Sequence, residues 1–272
     1  MVEVLVHFVA PALVGVLIGI ASGLLGIGGG TVMVPIFRLA FGMSATMSTA
    51  TSLFAIIPTS ISGAISHVKG KTCIPALGIA AGLGGACLSP VGVWLAQLSP
   101  DWLVMLAAAL IIGYSAINMF KKAFKVSRAG QPATGVDAAA SSDDSSLSRK
   151  QLLQGAAIGL VAGLASGYVG VGGGFIMVPL MLSIIGIPMR KASGTSLIAV
   201  MILAIPGVIE QGIIGNINYI AGIAIVIGTI PGAVVGARLV TKVPERTLRL
   251  LFGCFLIVAA VMLVLNEVGI FG

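Results

Sequence analysis

Three consecutive glycines stop a helix, and this chain carries them twice in the same setting. Residues 19–35 read GIASGLLGIGGGTVMVP and residues 163–179 read GLASGYVGVGGGFIMVP, identical at eleven of 17 positions. In each copy an apolar helix rich in small residues runs into Gly28, Gly29 and Gly30 or Gly172, Gly173 and Gly174. A second apolar stretch then opens at Thr31 or Phe175. Each glycine costs a helix about 1 kcal/mol against alanine, so neither helix is expected to run through. In lipid such a break survives only where protein or a watery cavity satisfies the freed backbone groups. Two matched interruptions in two matched halves are the pattern of a transport site at a repeat interface.

The lipid setting follows from composition. The chain is 58% hydrophobic and 8% charged, with a mean hydropathy of +1.15, where a soluble domain carries about 25% charge. Apolar stretches of about 20 residues, without strand-like alternation, predict an all-α integral membrane protein rather than a barrel. The opening MVEVLVHFVAPALVGV has no basic n-region or small-residue cleavage site, so no removable signal peptide is expected. The net charge of +7 resides mostly in loops, which speaks for membrane topology and against nucleic acid as a partner. Cys73, Cys87 and Cys254 show no metal or redox spacing and read as buried structural thiols. No metal, cofactor or catalytic set is expected, since His7 and His67 stand apart from any nucleophile–base constellation.

Apolar segments fall at about residues 4–25, 31–42, 46–66, 74–97 and 102–120, and again at 152–169, 175–187, 192–212, 218–240 and 247–267. Between the two sets lies a stretch rich in Ser, Ala, Gly and charge. The organisation is a first membrane repeat over 1–125, a flexible linker over 126–150 and a second repeat over 151–272. An offset of 144 residues superimposes the halves well beyond the glycines. It pairs Thr51-Ser52-Leu53 with Thr195-Ser196-Leu197, and Gly63, Gly78, Gly92 and Pro100 with Gly207, Gly222, Gly236 and Pro244.

Loop charges set the relation between the halves. The loop near Met43 is uncharged while its counterpart carries Arg190 and Lys191. The next loop has Lys69 and Lys71 against an uncharged 212–215; the third has only Asp101 against Arg238, Lys242, Arg246 and Arg249. Basic residues alternate oppositely, so the positive-inside rule predicts two inverted-topology repeats, each a glycine-broken helical hairpin followed by three membrane helices. The linker is then cytoplasmic and both termini, with Glu3 and Glu267, face outward. Arg38 is the one basic residue that departs from the scheme. A 13-residue arm rises about 20 Å against a hydrocarbon core of roughly 30 Å, so the second arm of each hairpin is expected to be short. Pro35 and Pro179 are placed to tilt or stop it.

GLLGIGGG and GYVGVGGG with their following MVP, the ATSL and GTSL stretches, and the polar mid-chain linker together resemble the TauE/SafE sulfite-exporter family of bacterial membrane transporters. The resemblance covers nearly the whole chain. It implies a multi-pass protein of the bacterial inner membrane that exports sulfite, organosulfonates or related sulfur-containing anions.

Helix N-termini present unpaired N–H groups and roughly half a positive charge, and glycine lets an oxyanion approach the backbone. The candidate anion-binding residues are therefore Gly28, Gly29, Gly30 and Thr31 with Gly172, Gly173, Gly174 and Phe175. The hydroxyls of Thr51, Ser52, Thr195 and Ser196 join them, with helix capping as the structural alternative for the Thr-Ser pairs. Gly19 and Gly23 equally suit close helix packing. Met33 and Met177 read as packing, and His67 and Glu210 as solvated loop-end groups. Export driven by membrane potential or a proton gradient, with alternating access, is the leading function. An anion channel or importer, and a membrane assembly subunit without its own substrate, are the alternatives.

Overall fold

The computed structural model describes residues 10–128 and 148–267, and among these it is all-helical. The first half contains α1 (Ala10–Leu25), α2 (Gly30–Phe41), α3 (Ala45–Lys69), α4 (Pro75–Leu98) and α5 (Asp101–Arg128). The second contains α6 (Arg149–Val169), α7 (Gly174–Leu180), α8 (Met189–Ile214), α9 (Tyr219–Leu239) and α10 (Glu245–Glu267). Seven of these, α3 to α6 and α8 to α10, are long and apolar enough to cross a membrane. The helix α5 runs to Arg128, beyond the expected end near 120, and most of the linker lies outside the described residues, as do Glu3 and His7.

Two seams of small residues hold the bundle. A methyl placed on Gly15, Gly19 or Gly23 would collide with the backbone of Ile225, Thr229 or Ala233, and one on Gly228, Gly232 or Gly236 with that of Ala12, Val16 or Ile20. Helices α1 and α9 therefore lie backbone against backbone and run parallel. The second seam joins α4 to α6 in the same way, with Gly159, Gly163 and Gly167 against Ala81, Gly85 and Ser89. Each seam crosses between halves. By contrast α3 and α8 are antiparallel, since Gly63 meets Leu197 and Gly207 meets Leu53.

These contacts orient six of the helices, and the short turns at 99–100 and 240–244 reverse α5 against α4 and α10 against α9. Thr59 reaches Thr229 and Ser62 reaches the carbonyl of Ile230, so α3 is parallel to α9 and hence to α1. Gly78 meets Ile198 and Gly85 meets Leu203, so α8 is parallel to α4 and hence to α6. With α1 parallel to α3, the intervening residues 26–44 must carry the chain back, and residues 170–188 do the same between α6 and α8. The return arms are short: α2 has 12 residues, and α7 has seven followed by a wider π-type turn over Met181–Ile185. Pro35 does not stop its arm, because α2 continues to Phe41; it removes one ladder N–H, freeing the carbonyl of Thr31. Pro179 lies one residue before the end of α7.

The chain directions sort the helix ends into two sets. One end gathers the finish of α3, α5 and α9 and the start of α4, α6, α8 and α10. All fifteen Lys and Arg residues except Arg38 belong to that end; Arg38 sits in the last turn of α2, at the other. A carboxylate ties one pair of helix starts at each end. Asp101 accepts from the N–H of Ala45 at the start of α3, and Glu245 from that of Met189 at the start of α8, both at 3.1 Å. The three cysteines form no disulfide and, contrary to expectation, none is buried: Cys87 and Cys254 are exposed and Cys73 is intermediate. Outward faces of membrane helices are as apolar as their cores, so an apolar neighbourhood does not place a thiol inside.

Candidate functional site

Both glycine runs form tight, left-handed breaks. Helix α1 ends as the N–H of Gly26 donates to the carbonyl of Ser22 at 2.8 Å, and α6 ends as that of Gly170 donates to Ser166 at 2.7 Å. Gly28 and Gly29 then take φ of 83° and 89°, and Gly172 and Gly173 take 89° and 63°, values that a Cβ strongly disfavours. The chain re-enters a helix with Gly29 or Gly173 as N-cap. In α2 the N–H groups of Val32 and Met33 turn back to the carbonyl of Gly29. Those of Gly30 and Thr31 precede that turn and have no place in the ladder.

The two breaks touch. A Cβ on Gly174 would stand 2.5 Å from the carbonyl oxygen of Gly26, and one on Gly30 would collide with the carbonyl of Val171. Residues 26–31 and 170–175 are all buried. The side chain of Ile56, from α3, is wedged between them. Its Cδ1 lies 2.5 Å from the Cβ position of Gly30 and 2.8 Å from that of Gly172, and its Cγ2 lies 3.3 Å from that of Gly28. Val200, its counterpart on α8, approaches the Gly28 position to 3.0 Å. In this conformation the seam is closed around the side chain of Ile56.

The Thr-Ser pairs divide by role. Thr195 accepts from the N–H of Ile74 at 2.9 Å and Thr51 from that of Asn218 at 3.0 Å, each capping the start of a helix in the other half. Ser196 lies 2.6 Å from the carbonyl of Gly26 and so joins α8 to the first break, whereas the Ser52 hydroxyl is buried without a partner. Gly19 and Gly23 are packing glycines of the α1–α9 seam. Met33 and Met177 are buried core.

His67 departs from its expected solvated position. It is fully buried, with Nε2 2.8 Å from the carbonyl of Gly23 and Nδ1 2.7 Å from Thr72 Oγ1. A ring nitrogen facing a carbonyl carries the proton, so Nε2 donates, and His67 pins the end of α1 to α3 and its following turn. Nearby Lys69 and Lys71 suggested a loop, but α3 extends three residues past the expected end and keeps the ring inside. Glu210, at the far end of α8, is partly buried.

Three further residues surround the breaks: Ser22, Ser60 and Ile56. Ser22 is repeated as Ser166 inside the duplicated motif, a signal available in the sequence. Ser60 and Ile56 carry none, because only folding brings α3 against both breaks. Among the residues whose side chains the structure describes, no Lys, Arg, Asp or Glu is buried, so the polar chemistry here is that of hydroxyls and backbone. No cluster of metal-ligating side chains occurs among the described residues.

The sequence profile of a family described as "Sulfite exporter TauE/SafE" matches residues 11–263. A "Probable membrane transporter protein YunE" of Bacillus subtilis is 28% identical over 97% of this chain and 99% of its own length. A "Probable membrane transporter protein" of Haemophilus influenzae is 29% identical over 93% of this chain and 97% of its own. "Sulfite exporter TauE/SafE family protein 3" of Arabidopsis thaliana is 27% identical over 58% of this chain and 35% of its own. No solved structure matches significantly.

Proposed function

Because the chain belongs to the TauE/SafE sulfite-exporter family, we propose that it exports small sulfur-containing anions, sulfite or organosulfonates, across a bacterial inner membrane. One observation carries this reading: the two glycine breaks are buried against each other where the halves of the chain meet. The residues that face the anion are those of the breaks, Gly28 to Thr31 and Gly172 to Phe175, with Ser52, while Ser196 keeps its hydroxyl on the carbonyl of Gly26. Thr51 and Thr195 stay with the helix starts they cap.

The halves are inverted copies in this reading, which the opposed directions of α3 and α8 and the exchanged seams support. Access alternates as one half rocks on the other, parting the packing at Ile56 first on one face and then on the opposite one. The end that holds every basic residue but Arg38 faces the cytoplasm, and the linker and both termini follow from it. With the cell interior negative, outward movement of one negative charge is favoured by about 2.3 kcal/mol per 100 mV, so the potential alone drives export.

The test is sulfite efflux from proteoliposomes under an imposed potassium-diffusion potential. Efflux should accelerate as the interior is made more negative. Efflux indifferent to the potential sinks the electrogenic mechanism, and no protein-dependent flux of sulfite or a sulfonate sinks the function itself.

A further inference from the structure

We propose that the hydroxyls of Ser22, Thr31 and Ser60 bind the transported anion at the first glycine break, and that they select an oxyanion with a single negative charge. The inference rests on the transport reading above and refines its site. All three side chains are fully buried and their hydroxyls have no hydrogen-bond partner. They arrive from three elements. Ser22 lies one turn before the end of α1, Thr31 is the second residue of α2, and Ser60 is on α3. Ser60 Oγ stands 3.4 Å from the Cβ position of Gly28, and the Ser22 Cβ stands 3.7 Å from that of Gly29. A buried hydroxyl left unpaired costs about 1–3 kcal/mol. Three around one left-handed turn form a cost that an oxyanion accepting from them removes, with the N–H groups of Gly30 and Thr31 at the head of a 12-residue helix beside them.

The second break keeps only one of these three donors, the buried and unpartnered hydroxyl of Ser166. Phe175 stands where the first half has Thr31, and Ala204 where it has Ser60; only Ser166 repeats Ser22. The breaks thus share a backbone path and differ in function: the first supplies donors, and the second, with Ile56, supplies the wall that closes over them.

The charge follows from what surrounds the site. Hydroxyls are neutral donors, a helix terminus contributes roughly half a charge, and no Lys or Arg is buried among the described residues. His67 is spoken for by Gly23 and Thr72. The cost of burying an ion grows with the square of its charge, and a dianion here would have no full cation to offset it, so sulfite is taken in its singly charged hydrogensulfite form.

Methanesulfonate and sulfate are tetrahedral oxyanions of similar size that carry one and two charges, and they provide the test. In proteoliposomes, methanesulfonate should compete with sulfite efflux at least tenfold more strongly than sulfate. Ser22→Ala and Ser60→Ala should each raise the KM for methanesulfonate about tenfold, the scale of one hydrogen bond to a charged group. Ser60→Thr should restore most of the affinity. Ser89→Ala removes an equally buried, unpartnered hydroxyl that faces Gly207 instead, and should leave KM unchanged. Abundance and monodispersity are measured for each variant, and the Ser60 pair decides if a Ser22 variant does not fold. Wild-type KM in the alanine variants, with transport intact, overturns the donor assignment while leaving the transport reading standing. Sulfate competing as well as methanesulfonate overturns the charge selection. Absence of any flux in the wild type defeats the transport reading and this inference with it.

Discussion

Thr51 and Thr195 each spend their oxygen on the first N–H of a helix in the opposite half, Asn218 at 3.0 Å and Ile74 at 2.9 Å. Removing that acceptor leaves a backbone donor unpaired beside a tight helix contact, which costs about 1–3 kcal/mol. Thr51→Val and Thr195→Val are therefore expected to lower thermal stability in detergent by similar amounts, with Thr→Ser at either position largely restoring it. A fall confined to one of the two would show that the matched caps are not equivalent. Ile56 acts differently, because its side chain occupies the seam itself. Ile56→Ala should cost about 2–5 kcal/mol as a core truncation and should raise the rate for a bulky arylsulfonate relative to sulfite. Ile56→Val, at about 0.5–1.5 kcal/mol, should change neither much. If the arylsulfonate-to-sulfite ratio stays constant across the series, Ile56 is not the wall of the site.

At the scale of elements, the seams between α1 and α9 and between α4 and α6 depend on the absence of side chains. A methyl at Gly163 would meet the backbone of Gly85, which cannot step aside as a flexible side chain does. Gly163→Leu should therefore abolish the monodisperse peak in fluorescence-detected size exclusion. Gly113→Leu should be tolerated, since nothing lies within 4 Å of its Cβ position. Equal loss in both would mean that glycine matters here for backbone freedom rather than for close approach. The element boundaries themselves were readable from the apolar runs, and most helices begin and end within about three residues of where hydropathy places them. Which glycines pack and which break was only half readable. Consecutive glycines announce a break, but Gly19 and Gly23 sit in the same motif and serve the seam. Their partners, Thr229 and Ala233, are about 210 residues away in sequence, and no local pattern reports them. The cysteines and His67 depart from expectation for a related reason. In a membrane protein, local hydropathy does not separate the core from the lipid-facing surface, and it places helix ends too early when the last turn carries Lys.

The whole molecule repeats its bonds as well as its sequence. The 144-residue offset relates the capping of α4 by Thr195 to that of α9 by Thr51, and the hold of Asp101 on α3 to that of Glu245 on α8. The offset was visible in the sequence, but the exchange of partners between halves was not, because superimposing a repeat does not say which copy each residue touches. Orientation is the property of the whole that charge and chain direction jointly fix. If the basic end is cytoplasmic, the turns at 70–74 and 240–244 lie inside, and those at 42–44, 99–100 and 215–218 lie outside. Single cysteines at Lys71, Ser44 and Gly215, all exposed, in a background with Cys73, Cys87 and Cys254 replaced, test this directly. A membrane-impermeant maleimide applied to intact spheroplasts should label the Ser44 and Gly215 positions and spare Lys71 until the membrane is opened. Ser44 and Gly215 belong to different halves at different steps of the repeat. Parallel copies would place Ser44 with 188 and Gly215 with Lys71, so labelling of Lys71 together with Gly215 would refute the inversion, whereas a wholesale exchange of inside and outside would refute only the charge rule.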